Sequence, residues 1–187
     1  MQKESALLLS VFLPLAGVFV LPAAGRLRPA LRNGLAFLLV VSSFVLSSFM
    51  LPDVLSRQAV TVFRNLPLGL NFNLCADGLA VFMAVISSFI SAMIILYSFD
   101  YIKHYENQQE YYFLVVLFLG AMMGLVFSAN LIMLYVFWEI TGITIWRLIG
   151  FFREKQHVLR ADKAFLVTVF GSLVMLLGFI MLFQETG

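Results

Sequence analysis

Glu139 is the residue in this sequence whose type and setting most call for a chemical explanation. It stands near the middle of Leu131–Phe152, an apolar run of helix length, where a charged group costs about 2.5–3.5 kcal/mol even on lenient insertion scales. Such groups usually face a bundle interior or a wet cavity and mark ion pathways. At helical spacing its neighbours are Tyr135, Gly142 and Trp146 at i−4, i+3 and i+7. Thr141 and Thr144 bring hydroxyls to the adjoining faces, a lining suited to a small wet pocket. Burial favours the neutral carboxyl and a nearby lysine favours the carboxylate, so the group can alternate as a partner moves, as a proton relay requires. The competing reading is a structural carboxyl, protonated or hydrogen-bonded to an adjacent helix.

Four further residues are candidate relay or modulating groups: Lys163, Asp77, Trp138 and Arg147. Arg147 lies two turns beyond Glu139, about 12 Å along a helix axis and too far for a direct pair, so it either snorkels to the interface or joins a relay. Lys163 follows Arg160-Ala-Asp162 at the mouth of the last apolar run, as a juxtamembrane cation or a channel residue. Asp77 opens another run, either as a helix N-cap or as a functional carboxylate. The single cysteine, Cys75, excludes a disulfide within the chain, a four-thiolate iron–sulfur cluster and a cysteine-based zinc site. His104 and His157 fall in loops, against a haem held by two membrane histidines. No metal and no cofactor is expected in this chain, and any redox centre must lie elsewhere.

The elements that must position these groups are membrane spans. Of 187 residues, 62% are hydrophobic and 12% charged, with a mean hydropathy of +0.99, far outside the soluble range. The net charge of +2, with its Lys and Arg scattered through short loops, excludes nucleic-acid binding by charge. About six stretches are long enough to cross a bilayer, over 5–25, 34–51, 75–98, 111–128, 131–152 and 164–183, and helix is expected throughout. The first reads as a retained span, since no small-x-small cleavage site precedes Arg26. The connection from Pro52 to Leu74 reads as an exposed loop with room for a short amphipathic turn. Arg26, Arg28, Arg32, Lys103, Arg153, Lys155, Arg160 and Lys163 gather in the first, third and fifth connections, against Lys3, Arg57 and Arg64 on the other side, so both termini are expected to face outward. Gly120-Ala-Met-Met-Gly124 invites close approach of a neighbouring helix, and Ser128-Ala-Asn130 makes a tight turn into the fifth span, as in an antiparallel hairpin. There is no internal repeat, so the expectation is an all-α integral membrane protein with residues 1–187 as one transmembrane domain.

Read in order, Asp77-Gly-Leu, Tyr97-Ser, Tyr112-Phe113, Leu117-Phe118, Leu125-Val-Phe-Ser-Ala-Asn130, Phe137-Trp138-Glu139, Leu148-Ile-Gly-Phe151 and Ala161-Asp-Lys163-Ala-Phe165 resemble the antiporter-like membrane subunits. These belong to respiratory complex I, Mrp-type sodium/proton antiporters and membrane-bound hydrogenase and formate hydrogenlyase complexes. The likeness is greatest to the large, subunit-5-like branch and covers roughly residues 70–187, with the first two spans matching in hydropathy only.

The resemblance implies that Glu139 is the family's buried glutamate of the fifth helix, modulating a channel lysine, and that Lys163-Ala-Phe165 marks the start of the sixth. It implies a membrane subunit of a redox-driven complex moving protons or sodium, in a bacterial or archaeal cell membrane or an organelle's inner membrane. Family members carry channel lysines on later, broken helices. The expected partners are therefore other membrane subunits, including a chain that supplies those lysine-bearing helices, together with lipid. The sequence departs from the family at Val169 and Gly171-Ser172, where an Arg and a Gly-Asp pair are common, and at Arg147, commonly aliphatic. A structural subunit of the membrane arm, transporting nothing itself, is the alternative.

Overall fold

The computed structural model describes residues 2–56, 59–65 and 71–186. Among the described residues six helices are long and apolar enough to cross a membrane, as the sequence predicts, and one small hairpin is present; the chain is an all-α multi-span membrane protein. Its elements in order are α1 Gln2–Gly17, α2 Leu21–Leu27, α3 Pro29–Phe49, α4 Leu51–Leu55, β1 Val60–Asn65, β2 Asn71–Ala76, α5 Gly78–Tyr101, α6 Gln108–Phe127, α7 Leu131–Ile149 and α8 Lys155–Thr186.

Prolines shape the first two spans. Pro14 has no N–H to give the Ser10 carbonyl, and in lipid no water can substitute. Ser43 Oγ of α3 shares its one proton between that carbonyl at 3.2 Å and Leu39 O of its own helix at 3.3 Å, with both serines fully buried. Farther on, Pro22 interrupts the ladder, and Val18–Val20 tighten into a 3₁₀ turn in which the Leu21 N–H reaches Val18 O. Pro29 then forces Arg28 into extended backbone, φ −153° and ψ 132°, so a single residue turns α2 into α3. The first connection is consequently far shorter than the loop expected over 26–33. Arg32 lies in the first turn of α3 and is only 3% exposed, so it is a packed helix residue rather than a free loop cation.

The second connection also differs from the expected loop. It contains α4 and an antiparallel hairpin in which Val60 faces Ala76, Val62 faces Leu74 and Asn65 faces Asn71. Val62, Phe72, Leu74 and Ala76 bury one face of the hairpin, while Phe63 points out. Phe72 meets Phe12 of α1 with ring centroids 5.4 Å apart, and the Ala129 N–H donates to Asn73 O at 3.0 Å, which ties β2 to the turn between α6 and α7. The third helix therefore begins at Gly78 rather than at 75. Arg57 and Pro67, used in reading this connection, lie outside the described residues.

The most enclosed span is α6, which packs against α1, α3, α5 and α7; Tyr112, Leu119, Met123 and Phe127 from it are among the most deeply buried side chains. Its two glycines serve different neighbours. A Cβ on Gly120 would meet Leu15 Cγ of α1 at 2.8 Å, and one on Gly124 would meet Phe137 Cε1 of α7 at 2.4 Å. By contrast α8 packs chiefly on α7 and is the least covered of the six, and it starts at Lys155, nine positions before the expected 164. Replacing Gly124 with Ala should cost about 1–3 kcal/mol through overpacking against the Phe137 ring. Gly34→Ala, where a Cβ meets nothing within 4 Å, should be neutral or slightly stabilising in the same detergent thermal-unfolding measurement.

Candidate functional site

Asn130 caps α7, its side chain accepting from the Ile132 N–H at 2.9 Å, and nine residues later Glu139 lies near mid-helix. Glu139 Oε1 is buried and has no hydrogen-bond partner among the described residues. Tyr135, one turn earlier, interacts with the side chains of both Glu139 and Ser172 of α8, and Ser172 is itself buried. Gly142 faces α8 on the same side, with Thr168 Cγ2 lying 3.6 Å from where its Cβ would be, an ordinary contact distance. The carboxyl thus belongs to the contact between α7 and α8, lined by small and hydroxylated residues.

The neighbouring threonines are differently used than the expected wet pocket requires. Thr141 Oγ1 donates to Trp138 O at 2.7 Å and Thr144 Oγ1 to Ile140 O at 2.6 Å, so each buried hydroxyl gives its proton to its own helix. Trp138 is 41% exposed, away from this contact. It is Trp146 that joins the helices, donating from Nε1 to Asp162 Oδ1 at 3.0 Å with its ring 5.1 Å from that of Phe165.

The remaining candidates are dispersed. Asp77 caps α5, accepting from the Ala80 N–H at 2.8 Å. Lys163 is exposed on α8 and makes no ion pair among the described residues. Arg147 neither approaches Glu139 nor stands free. Its Nε donates to Glu110 Oε1, while Glu110 Oε2 accepts from Arg153 Nη2 at 2.8 Å. Arg153 occupies the left-handed region at φ 55°, an uncommon conformation for a non-glycine residue, in the turn from α7 to α8. Glu110 escapes a reading of spans one at a time. The signal was present, since an acid in the first turn of one arm of an antiparallel hairpin meets a base in the last turn of the other. Among the described residues no group of three or more His, Cys, Asp or Glu is placed to hold a metal.

Two outcomes follow from this geometry. A double-mutant cycle with Glu110→Gln and Arg147→Leu should give a coupling of about 1 kcal/mol in thermal unfolding, and simple additivity would show the pair to be energetically idle. Burial, and secondarily the Asp77 charge, push the Cys75 thiol up, so less thiolate exists at any given pH. Iodoacetamide should therefore label Cys75 slowly until the pH is well above the ordinary thiol value of about 8.5. Asp77→Asn, which keeps a capping side chain, should shift the labelling onset to lower pH.

Comparison with known proteins gives this geometry its relatives. Residues 65–112 match the family model for the N-terminus of NADH-ubiquinone oxidoreductase (complex I) chain 5, and residues 128–187 match the transmembrane model of NADH:quinone oxidoreductase/Mrp antiporter. The Na(+)/H(+) antiporter subunit A1 of Staphylococcus haemolyticus (strain JCSC1435) is 34% identical over 183 residues, which is 95% of this chain and 23% of that protein. The same subunit of Staphylococcus aureus (strain bovine RF122 / ET3-1) is 36% identical over 182 residues, with the same two coverages. The similarity thus extends through the first two spans, beyond the 70–187 expected from motifs alone. In three dimensions the chain matches the membrane-bound sulfane sulfur reductase, an archaeal respiratory membrane complex, with a TM-score of 0.89. That match covers 98% of this chain and 38% of that one at 21% identity, a likeness of fold. The chain spans 23% of the length of these antiporter relatives. On these grounds the chain belongs to the antiporter-like membrane subunits and corresponds to their N-terminal part.

Proposed function

We propose that this chain is part of a membrane subunit that moves protons or sodium ions across a prokaryotic cell membrane, and that Glu139 is the group through which it takes part. The observation carrying the proposal is the orphaned Glu139 Oε1, buried in an apolar helix with no partner among the described residues. A carboxyl kept there solely for stability would be expected to satisfy both oxygens, because an unpaired polar atom away from water costs about 1–3 kcal/mol. An unsatisfied oxygen between two helices is instead available to a proton or to a mobile cationic partner. The relatives 34–36% identical over 95% of the chain are named as Na(+)/H(+) antiporter subunits. The family models carry the names of both NADH:quinone oxidoreductase and Mrp antiporter, and ion translocation is what these relatives have in common.

The partners on this reading are further membrane subunits or helices that bring a lysine to Glu139, and both termini face outward. The alternative is a structural role in a membrane assembly. It draws on one observation: among the described residues no Lys or Arg forms an ion pair with Glu139. A single assay separates the two. In sealed vesicles carrying the assembled complex, Glu139→Gln should leave assembly intact and lower ion translocation at least tenfold, or about 1.4 kcal/mol in barrier terms. Unchanged translocation with intact assembly would give the structural reading the field.

A further inference from the structure

At the end of the bundle where α2 turns into α3, a cleft of about 490 Å³ opens beside the start of α6. Arg32 lines it. Its Nε and Nη2 donate to Asn33 Oδ1, and Nη2 also donates to Gln108 Oε1 at 2.8 Å. The guanidinium carbon stands 4.8 Å from the centroid of the Tyr112 ring. These contacts leave the two N–H groups of Nη1 without a partner among the described residues, on a side chain that is 97% buried by the residue's 3% exposure. A largely buried cation that lines a cleft and has donors to spare is suited to an anion.

The start of α6 points the same way. Its N-cap, Asn107, makes no side-chain capping bond, and Gln108, Gln109 and Glu110 of the first turn line the cleft at the positive end of a 20-residue helix. Of the two acids on the cleft wall, Glu110 is neutralised by Arg147 and Arg153. Glu106 is exposed at the rim and has no ion pair among the described residues. One wall is apolar: Phe113 lines the cleft and meets Phe19, 72% exposed, with ring centroids 6.1 Å apart. Gly25 keeps the floor tight, since a Cβ there would approach Gln109 Nε2 to 3.1 Å.

We infer that this cleft binds the headgroup of an ethanolamine glycerophospholipid. The phosphodiester accepts from Arg32 Nη1 and the first-turn N–H groups of α6, the ammonium donates to Glu106, and an acyl chain lies along Phe113 and Phe19. The unpaired carboxylate sets the preference. A purely anionic headgroup meets Glu106 with like charge, and a choline headgroup has no N–H to give it.

The test uses the chain in its native assembly, in nanodiscs of phosphatidylcholine doped with phosphatidylethanolamine or phosphatidylglycerol, with retained lipid read by native mass spectrometry. Phosphatidylethanolamine should be retained about fivefold over phosphatidylglycerol, the size of one exposed ion pair. Glu106→Gln, at an exposed position that leaves the fold intact, should abolish that preference, and Arg32→Lys should lower retention of both lipids. Equal retention in the unchanged protein, a preference that survives Glu106→Gln, or displacement of the lipid by inorganic phosphate would each overturn the inference. The last result would identify the cleft as a site for free phosphate instead.

Discussion

The fold depends on how closely helices can approach α6. Between apolar spans the lipid supplies no hydrophobic drive, so association rests on van der Waals contact, and contact rests on small residues at the crossing. Gly120 and Gly124 are one turn apart, yet the first admits Leu15 of α1 and the second the Phe137 ring of α7. The two flanks of the bundle are set by that single turn. Phe137 is two residues before Glu139, so the position of the buried carboxyl along the membrane is fixed, through the ring, by the absence of a side chain at Gly124.

The chain treats its carboxylates in opposite ways. Glu110, at the end of a helix, engages both oxygens with two arginines and serves as a clasp between α6, α7 and the turn into α8. Glu139, at mid-helix, leaves one oxygen unmet where the cost is highest. Asp77 and Asp162 are likewise engaged, by the Ala80 N–H and by Trp146 Nε1. The orphan is therefore set apart from these other acids by its bonding as well as by its depth.

Much of this could be read from residues alone. The six spans and the hairpin of α6 and α7 follow from hydropathy and turn chemistry, and the cost of charge in lipid singles out Glu139 as a candidate. What was not legible depends on contacts between segments distant in sequence. β1 and β2 are short alternating stretches whose apolar side is defined by distant segments, α1 and the turn at Ser128–Asn130 among them. Arg32 counted as a loop cation because nothing near it in sequence shows Gln108 and Tyr112 waiting to bury it. The early start of α8 was hidden by Arg160, Asp162 and Lys163, which read as a loop by charge but have ordinary helical propensity.

The bond from Ser43 to the Ser10 carbonyl has a mechanical meaning. Pro14 removed the partner that would have kept this carbonyl within α1, so satisfying it became the work of another helix. At 3.2 Å the bond has little slack, and a slide of α1 past α3 by one residue, about 1.5 Å, would break it in a medium with no water to replace it. The register of α1 against α3 is thus tied at this one carbonyl by a hydroxyl shared with Leu39 O. At the other flank α8 meets α7 through Trp146, which bonds Asp162 and meets the Phe165 ring, and through Tyr135 and Ser172 on the side where the unmet oxygen of Glu139 lies.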